Sequence, residues 1–257
     1  MKILNIFKTF LYCISFLKKQ KKINKSIIPQ FTSKFYPQFN KQLSKKLEKK
    51  ITDYYCLGIP MITESFGILQ RGSKMNKIEQ KNTVLMGIII PIFDDFTDEN
   101  LLPFEEQLKL ILEPNNFDSK KIETFIVKQC LLEINVVDKN SYYKMWKELI
   151  IAQKKSLNQT LEDITETELK KIMDDKSIFS HLLFYHLLHI NRNEKIAHII
   201  VLISSLLQLS NDCFDVYKDY HAGIKTLANT CKNFDVLEEE YLRTVSYTHL
   251  RAHETRH

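Results

Sequence analysis

The chain has 257 residues, 44% hydrophobic and 26% charged, which fits one globular domain or two small ones and excludes a disordered or fibrous protein. Five glycines and six prolines are too few for the many tight turns of a sheet protein, so we expect long helices with few connections. The formal charge of +6 rests mostly on lysines interspersed with Glu and Asp; without an arginine cluster or an aromatic-basic ladder it predicts a solvated surface and no nucleic-acid partner.

Residues 1–25 open the chain as an amphipathic helix. The run Ile3 to Leu17 is largely apolar, Lys8 interrupts it, and Lys18, Lys19, Lys21 and Lys22 follow. It is shorter than the roughly 20 apolar residues of a membrane span. Its charge follows the apolar run and no small-residue cleavage site is clear, so a secretory signal does not fit. Peripheral contact with a membrane is the second reading of this helix.

Residues 26–245 read as a single all-α domain. Leu43, Leu47, Ile51 and Tyr54/Tyr55 recur at three- and four-residue steps and predict a helix over 41–57. A second helix, over 79–93, grows more apolar toward its end. Three more are predicted over 104–112, 119–136 and 141–158, separated by Pro103, by Pro114-Asn115-Asn116 and by Asp138-Lys139-Asn140. Thr165 with Glu168 forms a capping box and starts a helix that runs to about His189. Another spans from about Asn193 to about His221, and Gly223 ends it. No strand or internal repeat is evident, and the product is an antiparallel helix bundle.

The final residues differ in character. Three of the eight histidines and two of the five arginines fall in the last ten positions. The string from Ser246 to Thr255 is similar to translated sequencing-adaptor sequence, so we set residues 246–257 aside as a non-native tail and expect the native chain to continue past Val245. Five widely spaced cysteines (Cys13, Cys56, Cys130, Cys213 and Cys231) form neither a CxxC pair nor a disulfide framework, which points to a reducing, cytoplasmic setting.

Two acidic motifs carry the functional signal. Asp94-Asp95-Phe96-Thr97-Asp98-Glu99 closes an apolar run, and its mutual repulsion needs a cation or open solvent to relieve it. On a helix Asp94 and Asp98 share a face, with Asp95 beside them. Asn211, Asp215 and Asp219 lie at i, i+4 and i+8 and also share a face, which Ser204 and Gln208 extend backward into an oily segment. A stripe that is apolar at depth and anionic at its end suits the wall of a cavity. Magnesium takes one or two carboxylates together with phosphate oxygens and water, so two such faces would hold a diphosphate through metal. Metal and lysine would then stabilise the departing diphosphate.

At these residues the sequence resembles class I isoprenoid synthases, most closely the squalene/phytoene synthase-like branch. DDFTDE at Asp94 to Glu99 is similar to that branch's first aspartate-rich motif. The stretch Gln208 to Asp219 is similar to its second, and Gly223 and Leu227 fall where that pattern has a glycine and a leucine. Asn211, Asp215 and Asp219 also hold the three positions of the Asn/Ser/Glu metal motif of terpene cyclases. The resemblance covers roughly residues 50 to 235 and implies an isoprenoid synthase bundle with a central apolar cavity, three Mg2+ ions and an isoprenyl diphosphate substrate. It implies metal ligation by Asp94 and Asp98 with Asp95 in support, and by Asn211, Asp215 and Asp219.

Phe214 replaces a basic residue of the head-to-head branch, Ile224 stands where an arginine is expected, and the mid-chain Arg-Tyr signature is not evident. Cyclisation or simple diphosphate loss from one substrate is therefore expected ahead of condensation of two. A non-catalytic helical lipid-binding or scaffold relative is the third alternative. Lys176, beside Ser177, resembles a phosphate-contacting segment of related prenyltransferases, and Lys218, Lys225 and Arg71 are further candidates for the diphosphate. His181, His186 and His189 have no carboxylate at metalloprotease spacing and read as core or surface histidines.

Overall fold

A computed structural model describes residues 2–254, with side chains placed for 8–246. Among the described residues there is no strand, and helix follows helix: α1 (Lys2–Phe31), α2 (Tyr36–Phe39), α3 (Lys45–Lys49), α4 (Cys56–Arg71), α5 (Lys77–Asp98), α6 (Phe104–Leu112), α7 (Ile122–Glu133), α8 (Lys139–Ser156), α9 (Glu166–Tyr185), α10 (Glu194–His221), α11 (Leu227–Thr230) and α12 (Phe234–Glu254). The all-α class expected from the scarcity of glycine and proline is what the chain adopts. The helix expected over 1–25 runs six residues further, to Phe31. The tail set aside as 246–257 enters the end of α12; its side chains beyond Ser246, and residues 255–257 altogether, lie outside the described residues.

The chain packs as two compact units. The first comprises the residues up to Val137 together with Leu187–His189; the second comprises Asp138–His186 and the residues from Ile190 onward.

The first unit is built around α5. Val84, Leu85, Met86, Ile88, Ile89 and Ile92 are all fully buried, so this helix is covered on every side, as an all-round apolar helix must be. Helices α1, α4 and α7 and a π-helical turn over Lys50–Tyr55 pack on it. The π turn joins α3 to α4, so the helix expected over 41–57 continues instead to Arg71. Pro60 inside α4 has no N–H to give the Cys56 carbonyl four residues back, and the Asn24 side chain of α1 donates to that carbonyl at 2.9 Å. Gly87 of α5 makes the close crossing possible, because a Cβ there would stand 2.7 Å from Cys56 Sγ and 2.9 Å from its Cα. Asn76 caps α5 in a full capping box with Glu79.

The second unit stacks α8 on α9 and α9 on α10. Leu169, Met173, Leu209 and Leu227 form a buried cluster, with Ile164 and Leu237 packed against it. The predicted Thr165/Glu168 capping box is present at the start of α9, and Asn193 caps α10 by accepting from Lys195 and Ile196 N–H. Gly223, at φ 70°, takes the left-handed turn that follows α10. By length and composition α10 is apolar enough to cross a bilayer, although it also carries Asp212, Asp215 and Asp219.

Candidate functional site

In the first unit the DDFTD motif forms the last turn of α5. Two side chains from the π turn meet it. Tyr55 donates its hydroxyl hydrogen to Asp94 Oδ2 at 2.7 Å, and Lys50 Nζ donates to Asp95 Oδ1 at 2.6 Å. A π turn has more than four residues per turn, so positions five apart, such as 50 and 55, reach the same neighbour. The Asp94 charge is the largest influence on Tyr55; with burial, the shared hydrogen bond and the charges of Asp98 and Asp95, it holds the phenol far above its ordinary value. Burial pulls the Lys50 ammonium down. The hydrogen bond to Asp95 and the charges of Asp95, Asp94 and Asp98 outweigh it and leave the lysine above its ordinary value. Asp94 and Asp95 are half-buried, while Asp98 is exposed. Lys50 and Tyr55 escaped the sequence reading, which placed Tyr55 on an apolar face; a tyrosine pair beside a lysine, one helix before an acidic turn, was the available signal.

In the second unit the carboxylates of α10 divide by depth. Asn211 is exposed, Asp215 is half-buried and paired with Lys218 at 3.2 Å, and Asp219 is buried. The deepest acid is Asp212, which the periodic reading passed over because it lies one residue beyond Asn211. Gln208 Nε2 donates to Asp212 Oδ1 at 2.7 Å. Burial pushes the Asp212 carboxyl up to about 6; the Gln208 bond opposes this, while the Asp219 and Asp215 charges reinforce it. Asp219 is also raised, first by burial, with Lys218 and Lys176 working against the shift and Asp215 with it. Lys176 on α9 therefore acts electrostatically on both buried acids. Beside this group, Ser205 of α10 donates to Asp174 of α9 at 2.6 Å.

The remaining candidates are engaged elsewhere. Ser204 is fully buried: its hydroxyl donates to the Ile200 carbonyl, and its own carbonyl accepts from Ser177 of α9 at 2.7 Å. Lys225 Nζ donates to the Leu161 and Glu162 carbonyls and so pins the segment before α9. Arg71 ends α4, and its guanidinium grips both oxygens of Glu79, at 2.7 and 2.6 Å. Glu79 has no exposed side-chain surface and also accepts from the Asn76 and His189 N–H groups. Burial pushes Glu79 up, but these donors together leave it below the ordinary carboxylate range. His181 is buried, with Nδ1 2.9 Å from the Ser177 carbonyl, and burial holds it down to about 4, so it is a neutral core histidine. His186 is likewise buried and lowered, and His189 lies 2.8 Å from the Asn135 carbonyl.

Among the described residues, no three His, Cys, Asp or Glu side chains are grouped so as to hold a metal ion by themselves. A cleft of ≈ 530 Å³ in the second unit is lined by Lys155, Asp163, Glu168, Lys171 and Asp175 with Leu161, Ile164 and Ile172, and none of the expected metal or diphosphate ligands lies on it. No protein-family model matches this chain, and neither a curated protein nor a solved structure matches it.

Proposed function

We propose that the chain is a magnesium-dependent isoprenoid synthase homologue that ionises an isoprenyl diphosphate. The observation that carries this reading is the buried pair Asp212 and Asp219 on α10, with Asp215 beside them and the charge of Lys176 reaching both from α9. Both carboxylates are raised first by burial, and the Asp215 charge adds to both, so a divalent cation bound beside them would relieve the clustered negative charge. The donor set fits magnesium chemically. It consists of hard carboxylate oxygens, and magnesium uses one or two of these while substrate phosphates and water complete its shell, so a protein-only cage is not needed.

Asp212, Asp215 and Asp219, with Asn211 at the exposed edge, would hold the ion on α10; Asp94, Asp95 and Asp98 offer the same chemistry at the end of α5. A metal bound there stabilises negative charge on the leaving diphosphate. Lys176 contributes a second positive charge to that end, and Lys218 holds Asp215 in place. The reading brings with it the isoprenoid synthase type of bundle, a central apolar cavity for the isoprenyl chain, three Mg2+ ions and a cytoplasmic enzyme.

Purified protein given magnesium and labelled farnesyl or geranylgeranyl diphosphate tests it. Release of diphosphate with a hydrocarbon product supports ionisation of one substrate, and a doubled carbon chain supports condensation of two. Asp212→Ala, Asp94→Ala and Asn211→Ala should each abolish turnover and leave helicity intact. Full activity in any of the three removes that residue from the site.

One observation favours a second reading, a helical lipid-binding or scaffold relative without catalysis. Tyr55 and Lys50 already satisfy Asp94 and Asp95 with protein donors, as a structural acidic turn would be satisfied. Titration calorimetry with magnesium and inorganic diphosphate that gives no heat, together with no turnover, would favour it over the catalytic reading.

A further inference from the structure

Helix α1 has two faces of different chemistry. Phe16, Gln20, Asn24, Ile28 and Phe31, at steps of four and three, are buried within the first unit. Tyr12 donates to Glu64 of α4 at 2.6 Å, and Asn24 donates to Cys56, so the helix is anchored along its length and its other face has a fixed direction. On that outward face Phe10 is 59% exposed, Leu11 49% and Ile14 36%. The same stripe continues at helical steps through Lys18, Lys21, Lys22 and Lys25, all exposed. From Phe10 to Lys25 it extends about 22 Å, at 1.5 Å per residue.

Charge sets this end of the chain apart. The first 47 residues hold eleven lysines and no acidic residue, since Glu48 is the first acid. The whole chain carries only +6, so everything after residue 47 is net acidic. The even mixing of lysine with carboxylates noted above holds only beyond this segment.

We propose that the outward face of α1 docks on an anionic lipid bilayer, with Phe10, Leu11 and Ile14 entering the acyl boundary and Lys18, Lys21, Lys22 and Lys25 lying over the headgroups. A bilayer needs both halves of the stripe: apolar side chains to bury and cations for the negative surface. A nucleic acid would use the lysines and leave the apolar trio in water. The helix is already folded and braced, so docking carries no cost of ordering it. The inference rests on exposure and charge and does not depend on the catalytic reading.

Co-sedimentation of the full chain with phosphatidylcholine vesicles, with and without phosphatidylserine, tests the proposal. Wild-type protein should pellet with the anionic vesicles and stay in solution with the neutral ones, and added salt should release it. Replacing Lys18, Lys21, Lys22 and Lys25 together by Gln should weaken binding by about tenfold or more. Phe10→Ser with Ile14→Ser should abolish binding even to anionic vesicles, with unchanged helicity by circular dichroism. If that double variant loses its fold, the lysine variant and the salt titration decide alone. No pelleting with anionic vesicles, or pelleting that the lysine replacements leave unchanged, overturns the proposal. So does an intact double serine variant that binds like wild type and is held equally by RNA, because the helix would then be a simple polycation.

Discussion

Asn24 on α1 donates its amide hydrogen to the Cys56 carbonyl at 2.9 Å, and Cys56 is the residue whose usual helical donor, at Pro60, does not exist. The proline and the asparagine are 36 positions apart in sequence, yet the asparagine supplies a donor to the carbonyl that the proline cannot serve. Gln20 steadies the arrangement by donating to Asn24 Oδ1 at 2.9 Å.

Replacing Asn24 by Ala should therefore lower stability by about 1–3 kcal/mol, the cost of a buried acceptor left unpaired. Urea denaturation followed by circular dichroism measures this. In the Pro60→Ala background the loss should shrink, since an alanine at that position can supply the missing helical N–H; an undiminished loss would disconnect the two residues.

Gly87→Ala should be destabilising although alanine is the better helix former. The new Cβ would lie 2.7 Å from Cys56 Sγ and 3.0 Å from Cys56 N, and the latter contact is with backbone that cannot swing away. A loss of about 1–3 kcal/mol is expected from such overpacking. A midpoint equal to or above wild type in the same denaturation assay would show that α4 and α5 separate freely.

Tyr55→Phe removes the donor that Asp94 accepts and keeps the ring. Loss of a hydrogen bond to a charged acceptor predicts about 1.5–3 kcal/mol of destabilisation, toward the lower figure because Asp94 is only half-buried. Asp94→Asn alone and the double variant complete a cycle, and a coupling energy near zero would mean that the contact is incidental.

Asp212 supplies the pH dependence. Its carboxyl rises from an ordinary 3.8 to about 6 on folding, chiefly through burial. The folded chain thus binds this proton more tightly than the unfolded chain, and stability falls as pH climbs from about 4 to about 6, then stays lower. Asp212→Asn keeps an oxygen for Gln208 and carries no charge, so it should flatten that decline and be more stable than wild type at pH 7 by about 3 kcal/mol. The difference should vanish below pH 4. Added magnesium should recover part of the loss in wild type and none in the variant if the ion binds there. Parallel stability curves at pH 4 and pH 7 would contradict the assignment.

Much of the fold was legible in the sequence because apolar periodicity and end signals act locally. The helix over 104–112 has the predicted bounds, the Thr165/Glu168 box forms as read, and Asn193 and Gly223 bracket α10 as expected. Nearly all of α4, from 58 to 71, was missed for a physical reason. Gly58 and Pro60 are local breakers, and what overrules them is a tertiary hydrogen bond from Asn24 that no local window contains. The π turn hid Lys50 and Tyr55 in the same way, since a reading at 3.6 residues per turn does not place positions five apart together. At the acidic face of α10, the i, i+4, i+8 rule picked Asn211, Asp215 and Asp219, of which Asp215 is half-buried and Asp219 buried. It chose the exposed Asn211 over the buried Asp212, because spacing gives angles and burial is decided by what packs on the helix.

The short segment Leu187–His189 belongs to the first unit, although the residues on both sides of it belong to the second. The Leu187 carbonyl accepts from Asn82 and the His189 N–H donates to Glu79, so α5 depends on three residues made about a hundred positions later. A ribosome that has delivered everything through Val137 has not yet delivered a finished first unit. Its last strut arrives only after α8 and α9 have been synthesised, and gene fragments ending at 137 should yield a protein that is loose around Glu79.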